Sequence, residues 1–184
     1  VELVKGKSHV SKRRLKTAGL SDQVTSLTFD ATQFVSPEVP EELNQSFDVV
    51  FIDAPCSGLG TLRRHPEIAW NLSSESLYDG GELTVLQTEL LKSGSSRVEA
   101  GGYLVYATCS LSNSENQQVI DDFLASSEGS HFEVQSLHEC PARASLTSEA
   151  RGFLDTCITP EGFLQTAFAS ADCDAHFMAV LKHK

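Results

Sequence analysis

Two cysteines and an aspartate are the residues best equipped for chemistry in this chain. Asp53-Ala54-Pro55-Cys56-Ser57-Gly58 sets a carboxylate just ahead of a thiol, and Cys109 lies near the end of residues 101–110, GGYLVYATCS. A thiolate is a strong nucleophile, and a carboxyl group near it can donate or hold a proton, so the set suits covalent catalysis. The plainer reading is packing, since free cysteine is among the most buried residue types.

The elements around these residues decide whether they meet. Phe47, Val49, Val50, Phe51 and Ile52 form a short apolar run that reads as a strand buried on both faces of a parallel sheet. Residues 101–110 repeat that pattern. Adjacent parallel strands would bring Asp53, Cys56 and Cys109 to one carboxyl rim, where open α/β sheets bind their ligands.

The motifs DAPCSG, GTLRRHPEI-W and GGYLVYATCSLS-SEN resemble those of the RNA 5-methylcytosine methyltransferases of the Sun (RsmB) and Nop family. The resemblance runs over most of residues 2–181 and is dense over 48–116. It implies a class I methyltransferase fold, an α/β Rossmann-like doubly wound sheet. It also implies transfer of a methyl group from S-adenosylmethionine to carbon 5 of cytosine in single-stranded or flipped RNA, ribosomal RNA first among the candidates. Under it, Cys109 is the nucleophile that adds to carbon 6, Cys56 assists release, and Asp53 holds the N3 edge of the base. Glu2 and Asp30 stand where the family binds the ribose and the adenine of the cofactor, with Asp53 lining the same site. For Glu2 the alternative is a solvent-exposed glutamate, and for Asp30 a turn-forming aspartate. The Pro55 carbonyl is matched to the cytosine amino group, and Arg63 and Arg64 to the RNA backbone.

Further along the chain, a basic helix is expected from about Ser8 to Ala18 with Gly19 as its stop, and a strand over Val24–Phe29. A loop follows over 36–46. Residues 58–77 should be irregular and lie over the rim, ahead of a helix from Glu82 to about Glu99 ended by Gly101-Gly102. Ser112-x-x-Glu115 reads as a capping box before a helix carrying Val119, Ile120, Phe123 and Leu124. Strands are expected at 132–137 and 176–182, with a weakly patterned stretch between them that includes a short extended piece in TPEGFLQT.

Composition sets bounds on these readings. The 184 residues fit one domain able to bury a core. No apolar run approaches the ~18 residues of a membrane span, and the basic start lacks the apolar segment of a secretory signal. Five cysteines without a C-x-x-C pair fit neither a disulfide framework nor a zinc site. An intracellular setting follows, cytoplasmic or nucleolar, with no metal and no membrane partner. The net charge of -11 is unusual for an RNA binder, so local clusters such as Arg63-Arg64 would have to meet phosphates.

One departure from the family stands out: no strand ending in a glycine-rich turn of the type D-x-x-A-x-P-G-G-K-T precedes Val1. The domain over 1–184 is therefore expected to be a carboxyl-terminal portion with an open slot in its sheet, poorly stable and weak in cofactor binding on its own. Two other functions stay open, a non-catalytic RNA-associated domain and a dithiol redox protein.

Overall fold

Strands β1 (Phe47–Asp53) and β2 (Val98–Thr108) run parallel at the centre of the computed structural model, which describes residues 1–71, 81–168 and 172–184. Their register pairs Val50 with Leu104, Ile52 with Tyr106 and Asp53 with Ala107. On the far side of β2 lies antiparallel β5 (Phe177–His183), whose other edge carries β3 (Phe132–Val134) and β4 (Leu164–Gln165). The order is β1-β2-β5-β3, an α/β sheet of mixed direction.

One face of this sheet is packed. Leu104, Tyr106, Ala179 and Leu181 alternate onto it and are fully buried against Leu91 of α3 (Glu82–Ser95) and Val119, Ile120 and Phe123 of α4 (Gln117–Leu124). Each large side chain so buried contributes about 1.5–3 kcal/mol. Gly94 lets α3 approach β1, because a Cβ there would meet Ile52 Cδ1 at 2.9 Å.

The opposite face differs from the sequence expectation. Val49 and Phe51 are 54% and 60% exposed, so β1 is not buried on both faces. Among the described residues it has β2 as its only strand neighbour, and Val49 and Phe51 line a cavity with Val1, Ala31, Phe34 and Leu43. An unbroken apolar run reports what a strand can bury, and its neighbours decide what it does bury.

Other boundaries shift for local reasons. The expected strand over Val24–Phe29 reduces to a single parallel bridge, Glu2 with Thr28. Helix α1 spans Lys5–Thr17, and Gly19 follows it at φ +71, the left-handed stop expected of it. Helix α3 ends at Ser95, and Gly101-Gly102 lie inside β2, where Gly101 at φ +80 accompanies a register shift between Phe47 and Val49. Strand β3 stops at Val134, three residues earlier than read. The short piece in TPEGFLQT is present as β4. A helix that the sequence reading missed, α5 (Ser148–Cys157), is capped by Thr147 Oγ1, which accepts from the Ala150 amide at 3.2 Å. Within 58–71 there is a 3-10 turn at Leu59–Thr61 and the short α2 (Ile68–Asn71); the rest of the stretch expected to be irregular lies outside the described residues.

Candidate active site at the rim of β1 and β2

Because Asp53 and Ala107 are in register, the chain leaves both strands at one level, and the Ala54 amide extends the pairing to the Ala107 carbonyl at 2.9 Å. Cys56 and Cys109 lie in the two following turns with their sulfurs 3.3 Å apart, each half-buried. The meeting of the two thiols expected from parallel neighbours is therefore present. Gly58, at φ +75, turns the first loop back so that the Gly60 amide reaches the Cys109 carbonyl at 2.8 Å. The Gly60 carbonyl in turn accepts from the Ala175 amide at 2.9 Å, stitching in the segment that enters β5.

The two thiols are not equivalent. Burial, and then the hydrogen bond with Cys109, push the Cys56 thiol up to about 12, so it keeps its proton at neutral pH. Its thiolate fraction at pH 9 is about one part in a thousand. We expect iodoacetamide at pH 9 to alkylate Cys56 at least about a hundredfold more slowly than a free cysteine peptide, with labelling rising only above pH 10. Peptide mass mapping checks this, and half-maximal labelling near pH 9 would contradict it.

Cys56 and Cys109 are braced from behind by residues whose role the sequence reading did not find. Ser112 and Glu115 do not form a capping box: Ser112 Oγ pairs with Ser114, and α4 starts only at Gln117. Glu115 instead turns inward, fully buried, and accepts from the Ser57 amide at 2.8 Å and from the hydroxyls of Ser57 and Ser110 at 2.5 Å each. Asn116 accepts from Thr108 Oγ1 at 2.6 Å and donates to the Ser110 carbonyl at 3.0 Å, bracketing Cys109 on both sides. The capping-box spacing was the only local signal, and it reads the same whether the carboxylate bonds its own turn or another loop.

The remaining expected residues are placed as follows. Asp53 ends β1 exposed, so the desolvation cost that would have demanded a partner for it does not arise. It lines a cavity of about 290 Å³ with Val1, Ala31, Phe34 and the side of β1. Glu2 Oε1 accepts from the Val4 amide at 2.9 Å, and Asp30 Oδ1 from the amide and hydroxyl of Thr32 at 3.0 and 2.7 Å. Asp30 thus serves as a turn cap, and neither Glu2 nor Asp30 lines the cavity that holds Asp53. Pro55 is exposed, and its carbonyl already accepts from Gln87 Nε2 at 2.8 Å, leaving one lone pair for a substrate. A larger cavity, about 560 Å³ beside Lys92, His131 and His183, shares no residue with the cysteine rim.

The arginines are less free than the sequence implied. Arg64 Nε donates to Asp174 Oδ2 at 2.5 Å, and Asp174 is largely buried. The Arg64 hydrogen bond and charge hold Asp174 below the usual carboxylate range; Asp174 raises Arg64 in return, and Cys109 adds a smaller effect of the same sign. Arg64 therefore sits within electrostatic reach of Cys109. Arg63 pairs with Asp172 at 2.8 Å, but both side chains are exposed, so the pair is worth at most about 1 kcal/mol. Among the described residues no group of His, Cys, Asp and Glu is arranged to hold a metal, and no helix is long and apolar enough to cross a membrane.

A parallel strand pair beside an antiparallel closing strand, with its reactive side chains gathered beyond the carboxyl ends of the pair, defines a class I methyltransferase type of α/β domain. The family model described as 16S rRNA methyltransferase RsmB/F matches residues 7–182, and the chain belongs to that family. It is 37% identical to ribosomal RNA small subunit methyltransferase F of Vibrio cholerae over 140 residues, which cover 76% of this chain and 27% of that protein. To methyltransferase B of Klebsiella pneumoniae it is 38% identical over 109 residues, 59% of this chain and 25% of that protein. The chain thus spans about a quarter of the length of these relatives. Among solved structures, PH0851 superposes with a TM-score of 0.74 at 28% identity, covering 98% of this chain and 35% of that one. NSun6 from Pyrococcus horikoshii, solved with SFG, gives 0.72 at 18% identity over 98% and 40%, which shows the shared fold.

Proposed function

We propose that this chain carries the catalytic rim of an enzyme that methylates carbon 5 of cytosine in RNA, small-subunit ribosomal RNA being the substrate its relatives' names point to. The observation that carries the reading is the pair of thiols 3.3 Å apart with the proton held on Cys56. Carbon 5 of cytosine is too electron-poor to accept a methyl group unaided. Addition of the Cys109 sulfur to carbon 6 moves the ring electrons toward N3, where Asp53 can hold the incoming proton, and leaves carbon 5 nucleophilic. Once carbon 5 is methylated, solvent water takes its proton, the freed electron pair re-forms the 5,6 double bond as the carbon 6–sulfur bond breaks, and the N3 proton returns to Asp53. The Cys56 thiol, within hydrogen-bond range, can donate to the departing sulfur as the carbon–sulfur bond breaks.

S-adenosylmethionine would supply the methyl group. Of the three carboxylates expected to hold it, Asp53 faces a cavity beside β1, while Glu2 and Asp30 lie outside that lining and bond the Val4 amide and Thr32. Arg63 can exchange Asp172 for an RNA phosphate, while Arg64 stays with Asp174 and keeps its charge near Cys109.

The test is trapping of the intact protein on RNA containing 5-azacytidine. We expect a denaturant-stable protein–RNA adduct that disappears in Cys109→Ser. No adduct with the unaltered protein would favour a non-catalytic RNA-associated domain.

A further inference from the structure

Four donors converge on the two carboxyl oxygens of Glu115. Besides the amide and hydroxyl of Ser57 and the hydroxyl of Ser110, Gln87 Nε2 reaches Oε1 at 3.2 Å. Ser57 follows Cys56 and Ser110 follows Cys109, so one anion grips the backbone a single residue beyond each sulfur. The same Gln87 nitrogen donates to the Pro55 carbonyl at 2.8 Å, just before Cys56. That orientation leaves Gln87 Oε1 buried without a hydrogen bond among the described residues, so the two acceptors dictate it. Pro55 and Ser57 thus bracket one cysteine and Thr108 and Ser110 the other, and Glu115-Asn116 joins the brackets. A buried carboxylate is costly where stability alone is at stake, since packed apolar side chains serve as well or better. Its location against both cysteine turns is what that cost secures.

We propose that Glu115 is a positioning residue whose carboxylate sets the separation and direction of the Cys56 and Cys109 sulfurs without touching the base. Only its catalytic consequence rests on the methyl-transfer reading, because the thiol geometry is measurable with no RNA present. In Glu115→Gln the size is kept, but the amide NH2 either meets the Ser57 amide and Gln87 Nε2, which only donate, or makes the Ser57 and Ser110 hydroxyls turn from donors into acceptors.

The experiment follows disulfide formation between Cys56 and Cys109 in the intact protein. Diamide takes the two thiol hydrogens and two electrons and is reduced to the hydrazine, and peptide mass mapping gives the rate. We expect Glu115→Gln to slow this closure at least about tenfold in protein that still unfolds in one cooperative transition, at a lowered midpoint. Methyl transfer should lose kcat by about a hundredfold with KM changed less than about twofold, the signature of misplaced reacting groups. If Glu115→Gln does not fold, the Ser57→Ala/Ser110→Ala double variant, which removes two donors and keeps the carboxylate, is read the same way. Wild-type closure rates in a folded variant would overturn the proposal, as would an unaltered protein whose two thiols never join. If the unaltered protein methylates no RNA, the functional reading falls and the closure rates still judge Glu115.

Discussion

Cys109→Ser in the intact protein should abolish methyl transfer, a loss of about 10⁴-fold or more, whereas Cys56→Ser should retain addition and accumulate protein covalently joined to RNA. The difference follows from the environment of Cys56. Cys56 is desolvated, hydrogen-bonded to Cys109 and pushed up to about 12, which makes it a proton carrier and a poor nucleophile at neutral pH. On the proposed mechanism, removing it leaves the Cys109 sulfur in place and takes away the donor that would stabilise that sulfur as it leaves. Tritium transfer from labelled cofactor and denaturing gels of the RNA adduct measure the two effects. Equal behaviour of the two variants would refute the assignment of roles. So would an active Cys109→Ser.

Gly60→Ala should be strongly damaging to the cysteine rim. A Cβ there would fall on the Ala175 carbonyl well inside contact distance and stand 2.7 Å from the Cys109 carbonyl oxygen. Both obstacles are backbone, so no rotamer relieves them, and the two hydrogen bonds that tie Gly60 to Cys109 and Ala175 would lengthen together. We expect a loss of about 3 kcal/mol from overpacking and weakened hydrogen bonds, read as a lower urea midpoint in the intact protein. Gly152→Ala is the contrast: it lies within α5 with nothing inside 4 Å of its Cβ, and should be neutral or stabilising by up to about 1 kcal/mol. A wild-type midpoint for Gly60→Ala would mean that the three loops do not cross at Gly60 as described.

Much of the rim was legible from local pattern. The apolar runs before Cys56 and Cys109 read as strands, and parallel neighbours with tips at one level put the sulfurs together, as found. Gly19 and the helix with Val119, Ile120 and Phe123 on one face were equally local signals. Glu115 was not legible, because its partners Ser57 and Gln87 lie 58 and 28 residues away and the capping-box spacing offered a nearer explanation. Nor were the partners of Arg63 and Arg64, which sit 109 and 110 residues further on and turn two apparently free cations into one exposed pair and one fixed one.

By itself, then, the order of residues determined the two apolar strands that run up to the Asp53–Cys56 turn and to Cys109, and the helix that carries Val119, Ile120 and Phe123 on one face. These are short-range properties, set by side-chain period and backbone preference. Tertiary structure alone decided that Cys56 holds its proton and that one buried carboxylate spans both cysteine turns. Each of those depends on which distant groups exclude water or supply a donor, and that becomes defined only when the loops close on one another.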